Sequence, residues 1–324
     1  MDDLRLLREM RAEVPEPGPE WLVSARARLL RRLRAWHLPR FGRRLLLAGA
    51  LGGAASVVIA TRRDGPGVVA RSPVVRLDSA TVLRQAAEVA ESRPRPVVPR
   101  PDQWHYTRTL DKQANDDPGS PGTTQEGWIR YDGKQAAGYG MDGRMHVSDV
   151  PPDPGDDDLS PQQYDAKLRR LPTDPDDLLA HVSGDRHWID LPVEEGVKKN
   201  VEPPDARAFR VIFLYLERHV VMPPKLEGAM FRALMKISRV VVEKDVADAA
   251  GRRGLGIRFD WGGDPASLSY HILDPRTYRY LGSRMVWRRD EHIDGDPEPA
   301  FRAGSAWTTA LLASGIVDRP GQRL

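Results

Sequence analysis

The sequence contains no cysteine among its 324 residues. Disulfide bonds, thiolate zinc sites and cysteine nucleophiles are therefore excluded, and any folded domain must be stabilised by its own apolar core. The common catalytic motifs are missing too, since there is no HExxH pair, GxSxG turn or P-loop, and the eight histidines are scattered. We therefore expect a protein that is not an enzyme and that holds neither a cofactor nor a metal ion.

Long apolar runs are scarce. Only one uncharged run approaches the length that a helix needs to cross a lipid bilayer, and it is residues 45–61, LLLAGALGGAASVVIAT. Arg43 and Arg44 precede this run, and Arg62 and Arg63 follow it. A helix of this length rises roughly 25 Å, and arginines that reach the headgroups extend it toward the thickness of the hydrocarbon core. The run predicts one transmembrane helix. The alternatives are a buried helix of a soluble domain and a cleaved signal peptide, although the 44 preceding residues make a long leader.

The arginines near this run also predict its orientation. Eight lie within residues 25–44, against four within residues 62–81. Because positive charge stays inside, we expect a cell-membrane protein with a cytoplasmic N-terminus and an extracytoplasmic C-terminal part. Gly49 and Gly53 form a GxxxG motif, whose spacing permits close approach of two membrane helices and hence a homodimer, although simple small-residue filler is the favoured interpretation.

Charge is unevenly distributed along the chain. Residues 1–61 carry 11 arginines and 6 acidic residues, whereas the remainder carries 38 basic and 40 acidic residues. Membrane topology and attraction to anionic lipid explain a basic stretch beside a membrane helix, so we expect no nucleic-acid partner. Lysine is scarce, with 8 lysines beside 41 arginines, which is typical of a GC-rich bacterial genome.

Changes of composition divide the chain into five parts. Prolines within residues 14–19 separate two helical patterns of the inner part, which lie on the bilayer, dock onto a cytoplasmic partner or remain disordered. The run RPRPVVPRP at residues 93–101 predicts a stiff, extended stalk. The predicted parts are a cytoplasmic segment (1–44), the transmembrane helix (45–61), a linker with a short helix and the stalk (62–101), an extracytoplasmic domain (102–313) and a tail (314–324).

The outer domain begins with a pattern of alternating apolar and polar residues. Asp-Gly pairs at residues 132–133 and 142–143 separate short strands and predict an antiparallel meander. Helical patterns follow within residues 164–237, and five further strands are predicted between residues 240 and 313. We therefore predict an α+β fold with a mainly antiparallel sheet packed by helices.

Two local patterns could be mistaken for binding motifs. Gly138, Gly140 and Gly143 match GxGxxG, but no predicted helix follows them to meet a phosphate. The aspartates within residues 153–158 lack the glycine-centred spacing of a calcium loop, and they fit a solvated acidic loop better. We assign no ligand to either pattern.

Aromatic residues of the predicted strands are the candidate ligand site. In the simplest interpretation they fill the core between the sheet and the helices. If the sheet is curved, some of them instead line an apolar cavity able to take a lipid or a peptide. The candidates are Trp104, Tyr106, Trp128, Tyr270 and Trp287.

Three stretches carry a resemblance to a known family: LRLLREMRAEVPEPGPEWLVSARARLL, the apolar run, and DPRTYRYLGSRMV. Together they resemble bacterial single-pass membrane proteins of actinobacterial type and uncharacterised function, which often neighbour extracytoplasmic-function sigma factors. The order of strands and helices is also similar to the half-barrel of lipoprotein carriers and envelope-stress sensors. That similarity implies a curved antiparallel sheet plugged by helices. The chain departs from zinc-containing anti-sigma factors because it has no cysteine.

The sequence thus favours a protein that binds and signals across a membrane. The outer domain would sense a lipid, a peptide or an envelope protein, and the inner helices would report to a cytoplasmic partner such as a sigma factor. The alternative is a membrane-tethered module that binds lipid or lipoprotein and has no signalling role.

Overall fold

The computed structural model describes residues 75–116, 119–140, 142–150, 159–185, 202–218, 221–292 and 298–324. The predicted cytoplasmic segment and the predicted transmembrane helix, with Gly49 and Gly53, lie outside the described residues. Within the described ranges, no helix is both long and apolar enough to cross a membrane. The membrane anchor therefore stays a prediction.

The described residues confirm the predicted α+β class. Ten strands form one open sheet in the order β1-β6-β7-β8-β9-β10-β2-β3-β4-β5, and every neighbouring pair is antiparallel. The strands are β1 (Arg76–Leu77), β2 (Trp104–Lys112), β3 (Thr123–Arg130), β4 (Gln135–Tyr139), β5 (Met145–Asp149), β6 (Val240–Ala247), β7 (Arg253–Phe259), β8 (Ser267–Leu273), β9 (Tyr280–Trp287) and β10 (Ala306–Val317).

Strands β2 to β5 form the predicted meander. Gly133 and Gly143 have φ angles of 78° and 72°, which only glycine adopts readily, and each lies in the turn between two of these strands. Gly138 lies in β4, and the next element after Gly143 is the strand β5. No helix N-terminus follows the GxGxxG match, as expected.

Five helices are described, and their ends follow local capping chemistry. Asp174 caps the helix Pro175–Gly184, α3, by accepting hydrogen bonds from the backbone N–H groups of Asp176 and Asp177, at 2.9 and 3.2 Å. Ser160 and Gln163 form a reciprocal capping box at the start of the helix Pro161–Leu168, α2. The helices are α1 (Ser79–Glu91), α2 (Pro161–Leu168), α3 (Pro175–Gly184), α4 (Pro204–Arg218) and α5 (Pro224–Met235).

The first helix belongs to the folded domain and not to a linker. Leu83 and Ala87 are fully buried in the main core, and β1, just before this helix, pairs with β6. Glu91 at the end of α1 receives two hydrogen bonds from Arg232 of α5, one of them 2.8 Å long. Gly228 permits this contact, because a Cβ atom there would lie 2.6 Å from Cγ of Glu91. The proline-rich run at residues 93–101 therefore connects α1 to β2 within one domain. The sequence predicted instead that this run is a stalk and that the domain begins after it.

The helices pack on one face of the sheet, which we call the helix face. The main buried core contains Val242, Ile257 and Leu273 of the sheet together with residues of all five helices. Ile257 and His271 are directly opposite in β7 and β8, so both point to the helix face. Their neighbours along the strands point to the other side, which we call the outer face.

A buried hydrogen bond joins the meander to the helices. The hydroxyl of Tyr131, just after β3, donates to Asp165 of α2 at 2.6 Å. Asp165 is fully buried and also accepts from the backbone N–H of Val221 at 3.2 Å. Burial, followed by the hydrogen bond to Asp165, raises the pKa of Tyr131 to about 12.

Candidate functional site

An aromatic cluster lies on the outer face of the meander. Tyr106 and Trp128 are directly opposite in β2 and β3, and their rings stack with centroids 5.0 Å apart. Tyr139 meets the edge of Trp128 at 5.8 Å. The cluster comprises the buried residues Trp104, Tyr106, Trp128, Ala137 and Val317.

Residues 318–324, which we call the return segment, cover this cluster. Gly321 has a φ of 85°, and this left-handed conformation lets the chain reverse after β10. The indole N–H of Trp128 then donates to the main-chain carbonyl of Gln322 at 2.8 Å. The side chain of Leu324 fills the space above Gly315, where an added Cβ atom would lie 2.7 Å from it.

A charged pair fastens the return segment at the edge of the cluster. Arg323 donates to Glu126 of β3 at 2.7 Å, and its guanidinium lies 5.8 Å from the ring centre of Tyr139. Glu126 also accepts the hydroxyl of Tyr106 at 2.8 Å. Burial by itself raises the pKa of Glu126, but the hydrogen bonds from Arg323 and Tyr106 hold it below its usual value. The pKa of Tyr106 is raised, first by burial and then by Glu126.

The return segment and the cluster differ sharply in exposure. Trp128 and Tyr106 are 0% and 1% exposed, whereas Leu324 is 68% exposed. Every residue of the return segment except Pro320 is exposed. The segment buries little of its own surface, and mainly polar contacts of Asp318, Gln322 and Arg323 hold it. We therefore expect it to open at a lower free energy than the main core. The cluster is the candidate site, and the return segment is its cover.

The structure separates the five aromatic candidates. It brings Trp104, Tyr106 and Trp128 together in the cluster. Tyr270 also points to the outer face but belongs to another group, with Val246 and Ile272. An apolar cavity for a lipid stays a prediction.

The fifth candidate, Trp287, lies on the opposite side of the sheet. Trp287 is directly opposite Ser267 in β8, so the two side chains point to the same face. Ser267 lies four residues before His271 in that strand, and both therefore point to the helix face. Its ring stacks on Phe301 at 4.2 Å, and its indole N–H donates to Glu291 at 2.8 Å. Its contacts show no relation to the aromatic cluster.

A second polar group lies between α4 and the sheet. The carboxylate of Glu217 is hydrogen-bonded to Nδ1 of His271 at 2.7 Å. The ring of Phe213 stacks on the imidazole, with ring centroids 4.1 Å apart. Burial, together with the negative charge of Glu217, raises the pKa of Tyr280 well above its usual value. The hydroxyl of Ser283 is hydrogen-bonded to the hydroxyl of Thr309 at 3.0 Å. The first hydrogen bond joins α4 to β8, and the second joins β9 to β10.

The described residues offer little for metal chemistry. No group of three or more His, Asp or Glu side chains in the described part of the chain is arranged to hold a metal ion. The aspartates within residues 153–158 lie outside the described residues. The contacts of the aromatic cluster suit recognition of a peptide backbone and a cation, and they provide no nucleophile paired with a base.

Sequence patterns missed the polar partners of the cluster. Glu126 and Arg323 are separated by 197 positions along the chain, and neither belongs to a motif. Alternation in β2 does indicate that Trp104 and Tyr106 share a face. No local signal predicts that Gln322 presents its carbonyl to Trp128.

Comparison with known proteins adds no family assignment. No protein-family model matches the chain, and none of the curated proteins matches its sequence.

Proposed function

We propose that the chain is a single-pass membrane protein whose outer domain binds an extended, basic peptide of an envelope protein on the aromatic cluster. The peptide takes the place of the return segment. Residues 1–44 then pass the bound state to a cytoplasmic partner such as a sigma factor. In this proposal the protein binds and signals and catalyses no reaction.

One observation carries the peptide proposal. The fully buried indole of Trp128 donates to a main-chain carbonyl of Gln322, in a segment that is itself exposed. A main-chain carbonyl is common to every peptide, so this bond gives affinity without demanding a particular side chain. An aromatic anchor that is buried at the centre of a contact is also typical of binding hot spots.

The charge of the site supports a basic peptide. Glu126 lies at the edge of the cluster, and its side chain is 13% exposed. Arg323 and Arg108 both approach it, at 2.7 and 3.6 Å. A peptide with an arginine or lysine in the place of Arg323 keeps Glu126 paired, whereas an acidic peptide leaves a carboxylate beside a second negative charge.

A peptide with the sequence of the return segment, DRPGQRL, tests the binding site directly. It is labelled with a fluorophore and added to a chain that ends at Val317, and binding is measured by fluorescence anisotropy. We expect saturable binding to the shortened chain and much weaker binding to the full chain, whose own segment competes.

Two matched controls sharpen this test. A peptide in which the arginine equivalent to Arg323 is replaced by glutamate, DRPGQEL, should bind at least about tenfold more weakly, because it loses a charge-assisted hydrogen bond and repels Glu126. Glu126→Gln in the shortened chain should weaken binding of the original peptide. Equal binding of both peptides, or none of either, would contradict the proposal.

The signalling part of the proposal needs a separate measurement in cells. Transcription is compared between the full chain, a chain that lacks residues 1–44 and a chain that ends at Val317. We expect the last variant to change transcription of the genes that respond to the full chain, and removal of residues 1–44 to abolish that response. The signalling role fails if removal of residues 1–44 changes transcription of no gene that the full chain affects.

A further inference from the structure

A pocket of about 400 Å³ opens on the outer face, at the end of β2 farthest from Trp104. We propose that this pocket binds a phosphate group of a small molecule or of a lipid headgroup, held between Lys112 and Arg284. This inference concerns a different site from the aromatic cluster and does not depend on the proposed function. The walls come from the β2–β3 loop, the β6–β7 turn and strands β9 and β10.

The strand register places the two cations on either side of a threonine. Thr308 of β10 is directly opposite Lys112 of β2 and also directly opposite Arg284 of β9. Residues that are opposite in antiparallel strands point to the same face, about 5 Å apart at Cβ. Lys112, Thr308 and Arg284 therefore form a row across three strands, and all three line the pocket. The buried Thr308 supplies a hydroxyl between two positive charges.

The two cations have no carboxylate partner among the residues that the structure describes. Arg284 is half-buried and donates a long hydrogen bond, 3.5 Å, to the main-chain carbonyl of Ala247. Burial lowers the pKa of Arg284, which is the direction expected when a cation loses water without gaining an anion. Lys112 is also half-buried, and no described acidic side chain lies within ion-pair distance of it.

The acidic residues of the pocket wall do not offset this charge. Asp248 is fully occupied, because it accepts from the guanidinium of Arg252 at 2.7 Å and from the backbone N–H groups of Ala250 and Arg252, each at 2.9 Å. Asp116 is exposed and accepts from the backbone N–H of Gln113 at 2.8 Å. The uncompensated charge is concentrated at Lys112 and Arg284.

The donors around these cations match a phosphate. An arginine offers paired N–H groups to two phosphate oxygens, and a lysine adds a point charge. Thr308, Ser120 and Gln113 line the same pocket and add hydroxyl and amide donors. A dianionic phosphate neutralises both cations at once, which a single carboxylate does not.

Thermal unfolding of the full chain with added inorganic phosphate or pyrophosphate tests the site. Ionic strength is kept constant with sodium chloride, so that general screening of charge does not change. We expect each anion to raise the unfolding midpoint of the unmodified chain in a saturable way. The dissociation constant is then measured by calorimetry.

Three variants separate binding from folding. Arg284→Met should weaken phosphate binding by about tenfold or more, and Lys112→Met by about threefold. Without phosphate, Arg284→Met should unfold at the same temperature as the unmodified chain or higher, because it removes a half-buried charge that has no described partner. Arg253→Met is the matched control: Arg253 is exposed, lies outside the pocket and should leave phosphate binding unchanged.

Vesicles distinguish the two sources of phosphate. Binding of the full chain to vesicles of phosphatidylcholine with or without phosphatidic acid is compared for the unmodified chain and Arg284→Met. Binding to phosphatidic acid that requires Arg284 supports a lipid headgroup, whereas a response confined to the soluble anions supports a small molecule. The proposal is overturned if the unmodified chain responds to none of these probes, or if Arg284→Met responds as strongly as the unmodified chain.

Discussion

The helical core and the aromatic cluster bury aromatic side chains equally well but cover them differently. In the main core, which we call the helical core, Phe213 of α4 and Phe231 of α5 are fully buried, and the helices that carry them form the cover. In the aromatic cluster, Trp128 is as deeply buried, yet its cover is a short segment whose residues are almost all exposed. Burial of a side chain therefore does not reveal how firmly its cover is held.

This difference assigns separate tasks to the two regions. Each fully buried aliphatic or aromatic side chain of the helical core contributes about 1.5–3 kcal/mol to the stability of the fold. The return segment is held by the indole hydrogen bond to Gln322, by ion pairs of Arg323 and Asp318, by a hydrogen bond from Gln103 to Asp318 and by a leucine contact. A region covered in this way can exchange its cover for a ligand without unfolding the rest.

The largest expected effect breaks the helical core. Phe231→Ala should lower the free energy of unfolding by about 3–5 kcal/mol, because it leaves a cavity at a fully buried site of α5. Tyr139→Ala, at the 46% exposed edge of the aromatic cluster, should cost less than about 1 kcal/mol. Urea unfolding of the two variants measures the contrast, and equal losses would remove the distinction between the regions.

The next effect concerns the buried hydrogen bond that joins the meander to the helices. Tyr131→Phe should cost about 1–3 kcal/mol, because it takes a hydrogen bond from the fully buried Asp165. The pKa of Tyr131 is raised from 10.0 to about 12, so this contribution is fully present below pH 10 and is lost as the pH rises toward 12. Unfolding free energies of both proteins between pH 8 and 12 should therefore converge. Parallel curves would contradict the assignment.

A smaller loss is expected when the cover itself is removed. A chain that ends at Val317 should lose about 1 kcal/mol, because the hydrogen bond between Trp128 and Gln322 contributes about that much and the exposed ion pairs of Asp318 and Arg323 add little. Acrylamide should quench the tryptophan fluorescence of this variant more strongly. Arg323→Ala should show an intermediate quenching, because it loosens the segment without removing it. A loss as large as that of Phe231→Ala would show that the segment is part of the core.

The smallest effect is a pH dependence at the edge of the cluster. The pKa of Glu126 lies below its ordinary value of 4.5, so its contribution is present above that pH and is lost as the pH falls through the lowered pKa. The difference in stability between the unmodified chain and Glu126→Gln should therefore be largest near neutral pH and vanish in acid. A difference that grows on acidification would contradict the pairing with Arg323.

Local patterns predicted most of the regular elements of the domain. The Asp-Gly turns required glycine at positive φ, and Gly133 and Gly143 have it. Asp174 caps α3 directly before Pro175, and both residue types are local signals of a helix start. Such features depend on neighbours within a few residues, and the sequence displays them directly.

The placement of elements depended on partners far along the chain. The sequence predicted α1 only as a short helix of a linker, and the contact of Glu91 with Arg232 shows that this helix packs on α5. Strand β1 has two residues and is defined by pairing Arg76 with Glu243. Two residues are too few for a periodic pattern, so β1 was not predicted.

The candidate site was predictable in part for the same reason. Alternation places Trp104 and Tyr106 on one face, but the strand register alone decides that Trp287 points to the other. The return segment has no periodicity and was predicted only as a tail. Its role depends on contacts with Trp128 and Glu126, 194 and 197 positions away.

Native-state hydrogen exchange of the full chain tests most directly whether the cover opens apart from the core. The indole N–H of Trp128 and the amides of β7 are followed by NMR at increasing, sub-denaturing concentrations of urea. We predict that the Trp128 indole exchanges with a much lower opening free energy that hardly depends on urea, while the amides of β7 exchange only through global unfolding. If the Trp128 indole shares the opening free energy and urea dependence of β7, the return segment is a fixed part of the fold and not an exchangeable cover.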